Sequence, residues 1–364
     1  MPNSFEIAAA SGSYAVTVGQ DLVEEVVQRH PNAVYIVDAN LVDNLPEAAR
    51  ARVVVIAEEQ YKALEYMPTV VAALREHQVN RDSYLVAVGG GIIQDIVTFV
   101  ASIYMRGLPW TYMPTTVLAM VDSCIGGKSS INVQSYKNLV GNFYPPKDVV
   151  IDTRFIATLD KEMVVGGLYE AAKICYARGY DQFLSYLAHE PGYPLSADQA
   201  EATTLTALLT KKWFIETDEF DQKERLLLNF GHTFGHAIEG GTDFGVSHGI
   251  AVGVGMLVAA RYAKDTKALS TLGLERVGHL ERHIQETLLP ASGPVIEAPP
   301  VMPIATILEK FEYDKKHRRE SYRIVIPQED GGLSLVYVPK DEAVRSAFRT
   351  AYEETFDALG WSRS

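Results

Sequence analysis

Short β-branched runs alternate with amphipathic stretches through the first 150 residues. The runs at 14–18, 33–37, 53–56 and 84–88 are dominated by Val, Ile, Leu, Ala and Tyr. Such runs, separated by helix-length segments, predict the strands of a parallel sheet covered by helices. From about Asp160 the apolar positions recur at helical spacing instead, through 168–177, 200–214, 229–238 and 250–263. That period predicts a mainly helical second half. A proline-rich segment between Leu289 and Pro303 then precedes a late strand-like pair, 322–326 and 333–338. The last residues, Gly360 to Ser364, are expected to fray. No internal repeat breaks this division into an α/β domain over 1–159 and a mainly α-helical domain over 160–364. At 364 residues and 47% hydrophobic composition, the chain has material for two cores.

Charge narrows the partners. A formal net charge of −13 repels nucleic acid and anionic membrane alike, so neither is an expected partner, and any anionic substrate must meet a local cluster of cations. Two cysteines, Cys124 and Cys175, are too few for a disulfide framework or a Cys-rich zinc site. No basic start with an apolar core marks a signal peptide, so the cytoplasm is the expected location. No apolar run reaches the roughly 18 residues of a membrane span.

The candidate chemistry falls in four places. Directly after the fourth run, Gly89-Gly90-Gly91-Ile92-Ile93-Gln94-Asp95 reads as a glycine turn leading into a helix, the place where a Rossmann-like sheet holds a pyrophosphate. It lacks the GxGxxG spacing and also suits a plain strand-to-helix turn. Asp38 and Asn40 after the second run, and Glu59 and Lys62 after the third, stand where strand ends in such a sheet meet a ligand; water-facing turn residues are the simpler alternative. Arg106, Lys128 and Lys137 gather among glycines in an otherwise apolar region, a pattern suited to phosphate or carboxylate. In Gly166–Lys173, Glu170 and Lys173 share a helix face and could form an ordinary i,i+3 ion pair.

The strongest signal is Gly231-His232-Thr233-Phe234-Gly235-His236, with Ser247-His248-Gly249 following. Residues four apart share a helix face, so His232 and His236 can point into one pocket to which His248 returns, with Glu170 available as a carboxylate ligand. Lys211, Arg225, Asn229 and Lys315 add polar and cationic side chains around the same stretch, although Lys211 and Lys315 suit a solvated face equally well.

Together these motifs resemble the sugar phosphate cyclase family, most closely its 3-dehydroquinate synthase branch. The likeness runs from about Tyr14 to Pro327, carried by GGGIIQD, YMRG, MPTT, VDSCIGGKSSIN, KNLVGNFYPP, IDTRF, ERLLLNFGHTFGHAIE and SHG in family order. The resemblance implies a dehydroquinate synthase-like fold in which an NAD-binding α/β domain precedes a helical metal-binding domain. It implies that Glu170, His232 and His248 hold a divalent metal, zinc or cobalt, and that His236 is a proton-transfer or substrate-side group rather than a ligand. NAD would contact Asp38, Asn40, Glu59, Lys62, Gly89, Gly90, Gly91, Asp95, Thr115, Thr116, Asp122, Lys137, Asn138 and Thr158. Arg106, Lys128, Asn138, Lys173, Lys211, Arg225, Asn229, His236 and Lys315 would clasp a sugar phosphate, with Lys128, Lys173, Arg225, Asn229 and His236 also in catalytic roles. A homodimer is implied by the same likeness.

The chemistry implied is oxidation of a metal-bound alcohol by NAD, phosphate elimination, return of the hydride, ring opening and an intramolecular aldol closure. Branches acting on sugars without a carboxylate generally differ where this chain has Lys211, Asn229 and His236, which points to 3-deoxy-arabino-heptulosonate 7-phosphate or its amino analogue. Three departures stand out: Ile250 replaces the family's usual Glu after His248-Gly249, removing a carboxylate that could support His248, Gln94 replaces a usual glycine, and Tyr169-Glu170-Ala171-Ala172-Lys173 is looser than the family's commoner form. An iron-type alcohol or glycerol dehydrogenase would share the glycine turn and the histidines but has no use for this set of cations. A non-catalytic relative would have no use for Glu170, His232 and His248.

Overall fold

The computed structural model describes residues 2–49, 52–134, 136–267, 269–293 and 301–364, so that 294–300 of the proline-rich segment lie outside the described residues. The chain divides into two compact units, Met1–Leu159 with Ala200–Glu219, and Asp160–Gln199 with Phe220–Ser364. The helix Ala197–Thr217, expected from its position to belong with the second half, therefore groups almost entirely with the first. Polar contacts explain why: Glu201 accepts from Asn3 at 2.7 Å, Glu216 from the Ala8 amide at 2.8 Å, and Glu219 from the Ser11 amide at 2.9 Å.

In the first unit a seven-stranded sheet runs in the order β1 (Asn3–Ala9), β2 (Gly12–Gly19), β9 (Asp148–Asp152), β6 (Trp110–Pro114), β5 (Leu85–Gly89), β3 (Val34–Asp38), β4 (Arg52–Val55). Every pair is parallel except β1 with β2, so the sheet is mixed rather than purely parallel. β1 escapes a reading by pattern because it lies at the edge and buries only Ile7. The inner strand β5 is buried at all five positions, as a strand covered on both faces must be. A separate hairpin, β7 (Ile131–Val133) with β8 (Tyr136–Val140), follows β6. Because the parallel strands point the same way, their C-terminal ends bring Asp38, the Gly89–Gly91 turn, Thr115 and Thr116 to one edge.

The second unit is helical, with the antiparallel pair β10 (Ser321–Pro327) and β11 (Leu333–Pro339) packed in. Three helices carry its chemistry: Lys161–Arg178, His232–Gly241 and His248–Thr266. The first starts at Asp160, whose side chain accepts the Met163 amide at 2.8 Å as an N-cap. The third is buried along nearly its whole length. Glycines let these helices approach. A methyl group on Gly249 would collide with the carbonyl of Gly166, one on Gly255 with the carbonyl of Gly231, and one on Gly235 would lie 2.6 Å from the carbonyl of Ala251.

The C-terminal residues do not fray as expected. Trp361 is 3% exposed and stacks on Phe356, Met302 donates to the Ser362 carbonyl at 2.8 Å, and Ser364 donates back to Met302 at 3.0 Å. Burial of the indole and three backbone hydrogen bonds, the third from the Ile304 amide to the Ser364 carbonyl at 3.2 Å, hold this segment.

Two outcomes test this packing. Gly249→Ala should lower the unfolding free energy by about 1–3 kcal/mol, the usual cost of overpacking; an unchanged denaturation midpoint would mean that the helices part freely. His283 is 7% exposed, its Nε2 lies 3.0 Å from the Tyr186 hydroxyl, and burial pulls its pKa down to about 4. The unfolded chain takes up a proton here near pH 6.5 and the folded chain only near 4, so stability is full above 6.5 and falls progressively toward pH 4. Denaturation midpoints across that window should fall more steeply in the wild type than in His283→Gln.

Candidate active site

The second unit builds its site from three helices. Glu170 projects from the middle of the first, 1% exposed, and its Oε1 stands 3.6 Å from His232 Nε2 and 3.3 Å from His248 Nε2. Its other oxygen accepts from Lys173, one turn along the same helix and 2% exposed. The Glu-x-x-Lys pair is thus an i,i+3 ion pair, and it is also part of the histidine cluster. The His232, His236 and His248 rings lie with centroids 5.2, 5.4 and 5.6 Å apart, and their nearest nitrogens fall within 4.8 Å of one another.

Helix geometry explains the convergence. His232 and His236 are four apart on one face, and Gly231, at φ 74, turns the chain sharply before the first of them. His248 opens the next helix, beside the contact of Gly249 with Gly166 that draws the Glu170 helix in.

The electrostatics divide the three rings. Burial, with Lys173 and neighbouring imidazoles adding to it, holds His232 well below the ordinary histidine range, and His232 Nδ1 lies 3.4 Å from the Phe230 carbonyl. Burial and the Lys316 ammonium do the same to His236. Both rings are neutral at pH 7, with a lone pair to offer. For His248 burial is outweighed by hydrogen bonds to Glu170 and Glu239, and its pKa rises to about 9. Its Nδ1 lies 3.2 Å from Glu239 Oε2.

Other expected residues are placed unevenly. Arg225 is buried on the short turn Glu224–Asn229, where Asn229 donates to the Leu226 carbonyl at 3.0 Å. Lys315 is exposed, whereas Lys316, its neighbour, is drawn in far enough for burial to lower its pKa and for its charge to act on His236. Glu239 was given no role from the sequence. Glu239 carries a readable signal, since it lies seven residues after His232 on the face that already holds His236.

In the first unit, the glycine turn caps the helix Gly91–Ile103, with Gly90 as its N-cap. A Cβ on Gly90 would sit 2.9 Å from Thr116 Cγ2, so the turn and the segment after β6 form a close cradle at the N-terminus of this helix, whose first N–H groups have no partner within the helix. Asp38 accepts from Asn40 through both its amide, at 3.0 Å, and its side chain, at 3.2 Å. Lys62 is buried and tied to Asp95 at 3.1 Å, Glu59 at 3.6 Å and Asn138 at 2.9 Å. Burial still lifts Asp95 to about 6. Thr158 closes its own turn onto the Phe155 carbonyl at 2.7 Å. Arg106 and Lys137 are exposed, and Lys128 lies 5.8 Å from the Phe143 ring.

Lys211 does not lie on the solvated face that its position in the sequence also allowed. Its ammonium is buried against the Asp122 carboxylate and the carbonyls of Asp122 and Ile125, the latter two at 2.5 and 3.2 Å. A lysine has three N–H donors, and through these acceptors Lys211 clamps the turn that leads into Gly126-Gly127-Lys128.

Comparison with known proteins decides the family. Residues 52–166 match the 3-dehydroquinate synthase N-terminal family and residues 167–317 the 3-dehydroquinate synthase C-terminal family. The chain belongs to the 3-dehydroquinate synthase family. It is 36% identical over 292 residues to the 3-dehydroquinate synthase of Pseudoalteromonas translucida (strain TAC 125), covering 79% of each protein. Its fold is that of solved sugar phosphate cyclases. It is similar to 2-deoxy-scyllo-inosose synthase complexed with carbaglucose-6-phosphate, NAD+ and Co2+, with a TM-score of 0.83, 22% identity and coverage of 97% and 99%. It is similar also to the 2-epi-5-epi-valiolone synthase of Streptomyces hygroscopicus subsp. jinggangensis 5008 with NAD+ and Zn2+ bound, with a TM-score of 0.73, 25% identity and coverage of 95% and 96%. Among the described residues, no helix of this family member is long and apolar enough to cross a membrane.

The Glu170, His232 and His248 geometry makes a testable distinction from His236. Glu170→Ala and His232→Ala should abolish stoichiometric zinc binding, and His236→Ala should retain it, as read by elemental analysis of dialysed protein. Loss of zinc in His236→Ala alone would make the three imidazoles the ligand set.

Proposed function

We propose that this protein is a sugar phosphate cyclase that converts 3-deoxy-arabino-heptulosonate 7-phosphate to 3-dehydroquinate with elimination of phosphate, a carbon–oxygen lyase reaction. The observation that carries the reading is the convergence of Glu170 with His232 and His248 beside the neutral His236 and the Lys173 ammonium, in a chain of the 3-dehydroquinate synthase family.

The donor set fits a divalent metal. Zinc in a tetrahedral N/O site sits about 2.0–2.2 Å from each ligand, which sets the ligand atoms about 3.3–3.6 Å apart. The separations of 3.3 and 3.6 Å from Glu170 Oε1 meet that spacing, and one carboxylate with two imidazoles suits zinc or cobalt. The Gly89–Gly91 turn, Thr116 and the first amides of the following helix fit a dinucleotide pyrophosphate, since any side chain on Gly90 would fill the cradle. When bound, NAD supplies removal and return of a hydride, and the metal makes a substrate hydroxyl more acidic.

The chain's own groups do the rest. Glu170, His232 and His248 hold the metal, and Lys173 orients Glu170 through its charge-assisted hydrogen bond. His236, neutral at working pH, can take a proton from a substrate hydroxyl and return it. Arg225 and Asn229 bind substrate oxygens, and the charge of Lys316, next to the expected Lys315, helps to keep His236 neutral. Arg106 and Lys128 supply charge for phosphate. Orientation of the phosphate by such cations lowers the entropic part of the elimination barrier.

A second reading, a cyclase of a carboxylate-free sugar phosphate, draws on the commitment of Lys211 to Asp122 and two carbonyls. The deciding experiment follows phosphate release by metal-loaded protein with catalytic NAD from the heptulosonate, sedoheptulose 7-phosphate and glucose 6-phosphate, with NADH absorbance recorded. Release from the heptulosonate alone, without net NADH, is expected. Turnover of a carboxylate-free sugar moves the enzyme to the second reading, and steady NADH accumulation makes it a dehydrogenase.

A further inference from the structure

The departure at Ile250 raises a question about His248. An imidazole with two similar nitrogens binds a metal well only when something holds the other nitrogen, fixing both tautomer and ring orientation. A carboxylate two residues past His248 is absent here, and Ile250 is fully buried. The structure supplies a carboxylate from another helix. Glu239 Oε2 lies 3.2 Å from His248 Nδ1, while His248 Nε2 faces Glu170 Oε1 at 3.3 Å.

We propose that Glu239 is the positioning residue of this centre: its carboxylate accepts the Nδ1–H of His248 and leaves Nε2 as the nitrogen that meets the metal. The inference rests on the metal-site reading above and extends it to a residue that touches neither metal nor substrate. Glu239 reaches this place because the helix His232–Gly241 presents positions 232, 236 and 239 on one face, nearly two turns from end to end. One helix face therefore provides a ligand, the neutral His236, and the orienting group for a ligand on the next helix. His232 has a weaker counterpart in the Phe230 carbonyl, 3.4 Å from its Nδ1. A charged acceptor is the stronger of the two, and it serves the ligand whose ring is the more exposed, 37% against 16%.

Chemistry at Glu239 also accounts for tolerance of Ile250. With the Nδ1 side already held from the preceding helix, a second carboxylate is not needed to orient the ring.

The test measures zinc affinity by chelator competition for wild type, Glu239→Ala, Glu239→Gln and Ile250→Glu, with the imidazole nitrogens of His248 followed by 15N NMR of the zinc-loaded proteins. Glu239→Ala is expected to weaken zinc binding by about 10–100-fold, the usual effect of losing such a partner. Glu239→Gln, which keeps an acceptor oxygen, should recover part of that loss. Ile250→Glu should give no gain. The His248 spectrum should show a single Nδ1–H, Nε2-metal form in wild type and lose it in Glu239→Ala while thermal unfolding and the His232 signals stay in place. Wild-type affinity and an unchanged His248 spectrum in Glu239→Ala would overturn the role of Glu239. Absence of stoichiometric zinc in the wild type would instead overturn the metal-site reading.

Discussion

Three helices of the second unit come closer than side chains would ordinarily permit. At Gly249 against Gly166, Gly255 against Gly231, and Gly235 against Ala251, backbone meets backbone with no room for a Cβ. Close approach of this kind gains dispersion contacts along the helices and excludes water between them. It also sets the depth at which their polar side chains emerge. Gly166 lies one turn before Glu170, Gly231 and Gly235 flank His232, and Gly249 follows His248, so the glycines and the candidate ligands are interleaved along each helix. Separations of 3.3 and 3.6 Å between the carboxylate and two imidazoles follow from that packing.

Burying charge in such a place is costly, and the fold answers by pairing. Lys173 lies on Glu170, Lys211 on Asp122 and its neighbouring carbonyls, and Lys62 on Asp95, Glu59 and Asn138. Pairs like these add little stability over apolar substitutes of the same shape. What they provide is position: Lys62 ties the segment after β4 to the start of the glycine-turn helix and to the β7–β8 hairpin, and Lys211 fixes the turn before Lys128. Asp95, lifted to about 6 in spite of Lys62, shows that burial outweighs the ion pair there. The same balance leaves His232 and His236 neutral and able to act as ligand or base, whereas two carboxylates turn it the other way for His248.

Much of this was legible beforehand. The four early strands, the four long helices and the late strand pair follow from period alone, because a buried strand and a half-buried helix each impose a repeat on the apolar positions. The histidine spacing likewise announces a shared helix face. The first strand was missed because an edge strand with one buried residue carries no pattern, and the tethered C-terminus because its anchors, Trp361 and the backbone of Met302, lie far apart in sequence.

What the sequence by itself determined is local: which segments are helix or strand, which residues can act as ligands or cations, and, through its ordered motifs, the family. Only the tertiary structure decided which of those residues meet. It assigned the helix carrying Lys211 to the first unit and turned that lysine onto Asp122. It half-buried Lys316, whose charge acts on His236, and left Lys315 exposed, and it brought Glu239 to His248 from a different helix. The physical reason is range. Backbone propensity and apolar period act over a few residues, whereas hydrogen bonds and ion pairs between helices depend on how closely whole elements pack, which at this site is set by glycines reading as unremarkable helix positions until their partners are known.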